Sequence, residues 1–116
     1  MPLLPRATRP WGQWEVLLHG RGFQVKRLVV KPGHRLSLQY HHHRSEHWNI
    51  VEGIGRFRIG RRTLKAHAGQ SVYVPQGAVH RIENPSRKRL VIVEVQMGTR
   101  ITEKDIVRLQ DDYHRD

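Results

Sequence analysis

The histidines of this chain are concentrated where they could bind a metal ion. Four of the nine lie within residues 41–47, a segment that also carries a carboxylate. Side chains alternate between the two faces of an extended strand, so Gln39 and His41 can approach one object together. Glu46 follows across a short turn, and His80 comes after a proline–glycine turn. One amide oxygen, two imidazoles and one carboxylate are a donor set that fits an open site for Zn²⁺, Fe²⁺, Mn²⁺ or Ni²⁺.

A solvated surface strand would explain the same alternation. The polar face of residues 35–41 could simply be wet, and a short histidine run is often a surface feature. For a lone strand we would favour that interpretation. The spacing within two separate segments, described below, favours the metal site.

Short strands separated by turns must position these residues. Glycine and proline signals recur at short intervals, and the apolar residues between them alternate, with Gly60-Arg61 predicting a hairpin. Only residues 102–105 suggest a helical turn. Such a series is typical of an all-β antiparallel sandwich or barrel. Strands are predicted over residues 14–18, 23–30, 35–41, 47–52, 56–59, 62–66, 71–74, 80–83 and 90–96.

Length and composition indicate one small domain. The 116 residues contain no cysteine, which excludes a disulfide framework, a thiolate metal site and a cysteine nucleophile. No apolar run approaches the roughly 20 residues that span a bilayer, and the N-terminal segment is too short and proline-broken for a secretory signal. We therefore expect a cytoplasmic protein with no membrane association, in which residues 1–8 form a loose arm and residues 9–116 a single domain.

The charge balance is strongly positive. The 21 lysines and arginines exceed the 10 acidic residues to give a formal net charge of +11. Such a balance suits a solvated basic surface, a phosphate-bearing small ligand or a nucleic acid. The basic residues are scattered, with no long basic helix and no aromatic ladder beside them. Nucleic acid is therefore the least favoured of the three.

Two spaced motifs resemble those of a known superfamily. Residues 33–53 follow the pattern G-x5-Q-x-H-x4-E-x6-G, and residues 69–84 follow G-x5-P-x-G-x2-H-x3-N. This pair resembles the motifs of the cupin superfamily, with Gln39 where the first histidine usually stands. The resemblance implies a double-stranded β-helix, the cupin jelly-roll barrel. It also implies that the metal ligands Gln39, His41, Glu46 and His80 face the interior. Leu36, Leu38 and Tyr40 would then face outward, covered by another layer or a partner chain.

A closer resemblance, from about residue 9 to residue 113, is to the type II mannose-6-phosphate isomerase domain. In that family the domain usually follows a mannose-1-phosphate guanylyltransferase domain. This chain is too short for that half and lacks its glycine-rich nucleotide loop, so the resemblance implies a stand-alone isomerase domain. It leaves open a separate guanylyltransferase chain as a partner. The resemblance is carried by Arg9-Pro10-Trp11-Gly12, Val25-Lys26-Arg27-Leu28, Leu36-Ser37-Leu38-Gln39, His41-His42-His43-Arg44, Glu46-His47-Trp48, Ser71-Val72-Tyr73-Val74-Pro75 and Asp105-Ile106-Val107-Arg108.

The resemblance implies interconversion of mannose 6-phosphate and fructose 6-phosphate, which moves a proton between C1 and C2. A divalent metal, zinc being expected first, would polarise the carbonyl. His43 and Arg44 are the candidate catalytic residues. An ordinary arginine is too basic to be a general base unaided, so Arg44 is assigned rather to phosphate or enediolate stabilisation. The phosphate would be held by cations, for which the candidates are Lys26, Arg81 and Arg9.

Two other functions stay open. A metal-binding cupin could act as a sugar sensor or an oxygenase, since the same fold and metal host many chemistries. A polyanion or RNA binder would show steeply salt-dependent affinity and indifference to metal removal. A barrel this small with apolar outer faces also leads us to expect a homodimer.

Overall fold

The computed structural model describes residues 4–114 of the chain, and this part consists of strands joined by turns and loops. It contains eleven strands and no helix, and therefore no helix long and apolar enough to cross a membrane. The strands are β1 (Arg6–Arg9), β2 (Gly12–Gly20), β3 (Phe23–Val30), β4 (Leu38–Tyr40), β5 (Ser45–Glu52), β6 (Ile54–Ile59), β7 (Arg62–His67), β8 (Ser71–Val74), β9 (His80–Glu83), β10 (Leu90–Met97) and β11 (Val107–Gln110).

The strands form two antiparallel sheets, which confirms the all-β prediction. One sheet has the order β1-β2-β3-β10-β5-β8 and the other the order β11-β4-β9-β6-β7. Both sheets contribute to one buried core, Trp48 and Ile92 from the first and Phe57 and Ile82 from the second. Because sequence-distant strands are neighbours, residues far apart in the chain meet on the inner faces.

The inner face of the first sheet changes from apolar to polar along its length. Toward one end Ile92 lies opposite both Leu28 and Ile50. Two residues further along β10, Glu94 lies opposite Lys26. Both of these charged side chains are buried. Burying charged groups costs free energy, so a region of hydrophobic packing would not contain them. Their presence at this end of the barrel is typical of a binding site.

The hairpin predicted at Gly60-Arg61 joins β6 to β7 in the structure. Gly60 takes the first central position of the turn with φ of 60°. A glycine there is the pattern of a type II′ turn, whose twist matches that of the flanking strands.

The structure differs from the sequence prediction at one edge of each sheet, at β1 and at β11. Arg6–Arg9, most of which was placed in the loose arm, forms β1 and pairs with β2; residues 1–3 lie outside the described part. The short strand β11 was not predicted, although Val107–Gln110 alternates apolar and polar residues. The suspected helical turn at 102–105 is a turn closed by a hydrogen bond from Asp105 N to Thr102 O.

The strand predicted over residues 35–41 is shorter than expected. The backbone of Arg35 forms only an isolated β-bridge with that of Glu83, and regular strand geometry begins at Leu38. This irregularity breaks the alternation, so Leu36 joins the main core and lines the same cavity as Gln39. The prediction that Leu36 faces outward is therefore wrong.

Candidate metal centre

Four predicted ligands converge at the polar end of the barrel. Gln39 on β4 is paired with His80 on β9, His41 follows β4 directly, and Glu46 lies on β5. The ligand atoms of His41, Glu46 and His80 all lie within 4.8 Å of one another. Their exposed fractions are only 2%, 3% and 2%. The Nε2 atom of Gln39 lies 3.5 Å from the Nε2 atoms of both histidines.

Hydrogen bonds select the histidine tautomers that a metal requires. His41 Nδ1 lies 2.6 Å from the backbone oxygen of Asp105, and His80 Nδ1 lies 2.9 Å from that of Ala78. A carbonyl can only accept, so both Nδ1 atoms carry the proton and both Nε2 lone pairs face the centre. Burial lowers the pKa of His41 to about 4, although Glu46 opposes the shift, and burial likewise lowers the pKa of His80. Both imidazoles are therefore neutral at pH 7.

Gln39 offers a fourth ligand through its side-chain amide. Its Oε1 accepts a 2.6 Å hydrogen bond from Ser37 Oγ, while its Nε2 faces the two imidazoles. A hydroxyl both donates and accepts, so Ser37 can bind either end of the amide. A half-turn of the amide would therefore present Oε1 to the centre without leaving Ser37 unpaired.

Glu46 is held ionised by a buried arginine. Arg44 donates from Nε to Glu46 Oε2 at 2.8 Å and from Nη2 to His41 Nε2 at 3.2 Å. Trp48 Nε1 donates to the other carboxylate oxygen at 2.9 Å. Burial acts to raise the pKa of Glu46, but the charge of Arg44, followed by His80 and His41 in the acid range where they are protonated, lowers it to about 2. The guanidinium therefore contacts two of the atoms that a cation would use.

The residues present fit a divalent first-row metal. They supply two neutral imidazole nitrogens and one ionised carboxylate, with an amide oxygen within reach, and both histidines have the backbone partners that orient metal ligands. Zinc, iron, manganese and nickel all accept such donors, so the ligand set does not choose among them.

The metal centre opens into a cavity of about 90 Å³, room for several water molecules. Lys26 projects into it, bonded to Glu103 at 2.7 Å and lying 4.1 Å from the ring centroid of Trp14. Besides the four ligands, the charged residues lining the cavity are Arg9, Lys26, Arg44, Glu94, Glu103 and Arg108. Apart from the metal ligands, the described part of the lining therefore contains four cations and two carboxylates. The cavity suits an anionic ligand.

Two predicted site residues do not reach this cavity. The backbone of His43, like that of His42, is bound by the carboxylate of Asp105 at 2.9 Å, and His43 does not line the cavity. Arg81 follows His80 directly, so alternation places it on the outer face, where it donates to the backbone oxygen of Leu36. We therefore withdraw His43 as the base and Arg81 as a phosphate ligand in this cavity. Lys26, Arg9 and Arg44 do line it.

Glu94 is the functional candidate that the sequence prediction missed. It is buried on β10 and lines the cavity. Burial, followed by the nearby charge of Glu46, raises its pKa to about 8. Gln96 donates to its carboxylate, and Gln24 donates to Gln96 at 3.0 Å. The available signal was two polar residues at alternate positions in the most apolar strand of the chain.

Comparison with solved structures shows the fold class. The cupin domain of Schizosaccharomyces pombe Cnp3 matches with a TM-score of 0.72 at 14% identity, covering 74% of this chain and 64% of that one. Oxalate decarboxylase from Bacillus subtilis, studied for its Mn(II) centres, matches with a TM-score of 0.77 at 22% identity, covering 87% of this chain and 29% of that one. The fold is the cupin double-stranded β-helix.

Sequence relatives define the family. The family model described as "Mannose-6-phosphate isomerase C-terminal" matches residues 4–111. The xanthan biosynthesis protein XanB of Xanthomonas campestris pv. campestris is 48% identical over 110 residues, which cover 95% of this chain and 24% of XanB. A mannose-1-phosphate guanylyltransferase of Sinorhizobium fredii is 46% identical over 110 residues, 95% of this chain and 22% of that protein. The chain belongs to this isomerase C-terminal family, and it spans about a quarter of the length of these relatives.

Proposed function

We propose that this chain is a metal-dependent isomerase that interconverts mannose 6-phosphate and fructose 6-phosphate. The observation that carries the proposal is the buried group of two neutral imidazoles and one ionised carboxylate, with ligand atoms within 4.8 Å. This group opens into a cationic cavity in a chain of the isomerase C-terminal family. Gln39, His41, Glu46 and His80 would hold the cation, for which zinc remains our first expectation.

The phosphate of the substrate would be bound by the cations that line the cavity. Lys26 and Arg9 line the cavity, as does Arg108 on β11, and we assign phosphate binding to these three cations in place of Arg81. Guanidinium groups bind phosphate through paired N–H donors, which fixes orientation as well as charge.

The chemistry consists of moving one proton between C1 and C2 of the sugar while charge develops on the two oxygens. When bound, the cation supplies the Lewis acid that polarises the carbonyl and disperses the enediolate charge. Arg44 adds a fixed positive charge beside the same oxygens. We assign proton transfer to the carboxyl group of Glu94, because a buried carboxyl with a pKa near neutrality can both accept and release a proton.

The test is turnover of mannose 6-phosphate by zinc-loaded protein in deuterium oxide, followed by NMR. We expect fructose 6-phosphate to form with deuterium incorporated at the exchanged carbon. Glu94→Gln should retain the metal and lose at least about a hundredfold in rate, as for removal of a general base. Arg21→Gln, in the exposed β2–β3 turn, is the control and should behave as the unmodified chain.

Metal-loaded protein that binds the sugar phosphate without converting it would overturn the isomerase proposal and favour a sensor. Oxygen consumption by iron-loaded protein would favour an oxygenase. Polyanion binding that is unaffected by chelation would favour a nucleic-acid role. The homodimer, the separate guanylyltransferase partner and the cytoplasmic location stay predictions.

A further inference from the structure

A second group of cations lies outside the barrel, on the outer face of the sheet that carries His80. Arg56 and Arg58 come from β6 and Arg81 from β9, and Arg35 lies beside them. Together with Thr63 and Glu83 they line a groove of about 250 Å³, which we call the arginine groove. It is separate from the metal cavity, because β9 directs His80 inward and Arg81 outward.

In the described part of the chain, acidic side chains pair with two of these four arginines. Arg35 binds Asp112 at 2.7 Å and Glu83 at 3.3 Å, and Arg56 binds Glu83 at 3.4 Å. Within residues 4–114, no carboxylate lies within 4.0 Å of the guanidinium of Arg58 or of Arg81.

Among the residues that the structure describes, Arg58 and Arg81 have only neutral hydrogen-bond partners. Arg58 donates through Nε to the backbone oxygen of Gly60 at 3.0 Å. Arg81 donates through Nε to the oxygen of Leu36 at 3.0 Å and through its terminal nitrogens to Gln110 at 3.2 and 3.3 Å. These contacts orient both guanidinium groups without neutralising either charge.

The strand register makes this arrangement costly for the protein alone. Arg58 and Arg81 are directly opposite each other on β6 and β9, and like charges at such positions are destabilising. Arg81 is only 5% exposed, and a buried charge with no carboxylate in direct contact costs more than an exposed one. Burial, followed by the charge of Arg35, lowers the pKa of Arg81, although Asp112 and Glu83 oppose the shift. An anion bound between Arg58 and Arg81 would offset both the repulsion between the two arginines and the burial of the Arg81 charge.

We propose that the arginine groove binds a small phosphate-bearing anion at a site distinct from the metal cavity. Paired guanidinium groups match the oxygens of a phosphate, and Thr63 adds a hydroxyl donor at the edge of the groove. The lining residues within the described range include no aromatic side chain on which bases could stack, which favours a small anion over a nucleic acid. The Glu83 carboxylate limits the anion to the end of the groove nearest Arg58 and Arg81.

The test is titration of chelator-treated protein with inorganic phosphate at constant ionic strength, followed by backbone amide NMR. We expect saturable shifts at Arg58, Thr63 and Arg81. Arg58→Gln should weaken this binding at least tenfold, whereas Arg21→Gln, which removes the same charge in the exposed β2–β3 turn, should leave it unchanged. Without phosphate, Arg58→Gln should melt no lower than the unmodified chain, because it removes a repulsion; a structural arginine would give the opposite result.

Three outcomes would overturn the proposal. They are shifts confined to residues of the metal cavity, an equal loss of affinity in both variants, and the absence of saturation. A parallel titration with mannose 6-phosphate shows whether the groove also accepts a phosphate ester. The same saturable shifts in the groove would mean that it does, and their absence would mean that it takes the free ion alone. The result does not depend on turnover, so it can fail or succeed independently of the isomerase proposal.

Discussion

At the scale of single residues, Arg44 and a metal ion compete for the same two atoms. The guanidinium binds Glu46 Oε2 at 2.8 Å and His41 Nε2 at 3.2 Å, and both are ligand atoms of the proposed centre. Neutralising a positive charge so close to a cation should strengthen metal binding by about tenfold or more. We therefore expect Arg44→Gln to bind zinc more tightly while its isomerase kcat falls.

Competition with a chromophoric chelator measures that zinc affinity. Arg21→Gln is the matched control, because it removes one positive charge far from the centre. Weaker zinc binding by Arg44→Gln would show that Arg44 supports the metal rather than competing with it.

Glu94 gives a pH dependence that can be tested without substrate. Its folded-state pKa is raised to about 8 by burial and Glu46, so between about pH 4.5 and 8 the folded chain holds a proton that the unfolded chain has lost. Stability therefore falls as pH rises through this window, by about 1.4 kcal/mol per pH unit at most. His41 and His80 have lowered pKa values and act in the opposite direction, an effect that fades between about pH 6.5 and 7.5 as the imidazoles of the unfolded chain lose their protons. The difference between the unmodified chain and Glu94→Gln therefore isolates the Glu94 contribution.

Urea unfolding of metal-free protein at pH 6.5 and 8 checks this expectation. The unmodified chain should lose stability between the two pH values, whereas Glu94→Gln, in which only the opposing histidine effect remains, should show no decline. A decline of equal size in both proteins would mean that another group is responsible.

At the scale of elements, the segment between β10 and β11 holds in place the turn formed by residues 41–44, which carries the proposed metal ligand His41. The Asp105 carboxylate accepts the backbone N–H groups of His42 and His43, and its backbone oxygen binds His41 Nδ1. The backbone oxygen of Thr102 binds Arg44. One short segment thus orients both a ligand and the arginine beside it.

Asp105→Asn should damage both the fold and the metal centre. The amide can accept from only one of the two N–H groups, and its own NH₂ group would face the other. We expect a loss of about 1–3 kcal/mol in unfolding free energy and about 10–100-fold in zinc affinity. Asp112→Asn, which breaks an exposed pair with Arg35, is the control and should change both by much less. Unchanged zinc affinity in Asp105→Asn would contradict the orienting role.

The sequence predicted the strands whose apolar residues alternate, and it predicted that Gln39 and His41 would share a face. It could not place His80 beside Gln39 without the resemblance, because their pairing joins residues 41 positions apart. It also missed Leu36 and Glu94 as lining residues. The first depends on an irregularity before β4, and the second on the pairing of β10 with β3 and β5. Local patterns predict strands, whereas long-range pairing decides which of their residues meet.

At the scale of the whole molecule, a small barrel carries many buried polar groups around one centre. Arg44, Glu46 and Glu94 are each at most 5% exposed. Burying this group opposes folding, and a bound cation would offset part of the cost. Zinc at a hundred times its Kd should therefore stabilise the fold by about 2.7 kcal/mol, a rise in Tm on the order of 10 °C.

Differential scanning calorimetry with and without a chelator measures this stabilisation. Glu46→Gln should show almost no zinc-dependent shift. A shift of equal size in Glu46→Gln would place the stabilising ion somewhere other than the proposed centre.

The convergence of four side chains on a single cation is most directly tested by the stoichiometry of bound zinc. Equilibrium dialysis followed by elemental analysis should give one zinc per chain for the unmodified protein. His80→Gln, Gln39→Ala and Glu46→Gln should each retain far less, while Arg21→Gln retains one. A full equivalent of zinc in His80→Gln and Glu46→Gln, or none in the unmodified chain, would contradict the account.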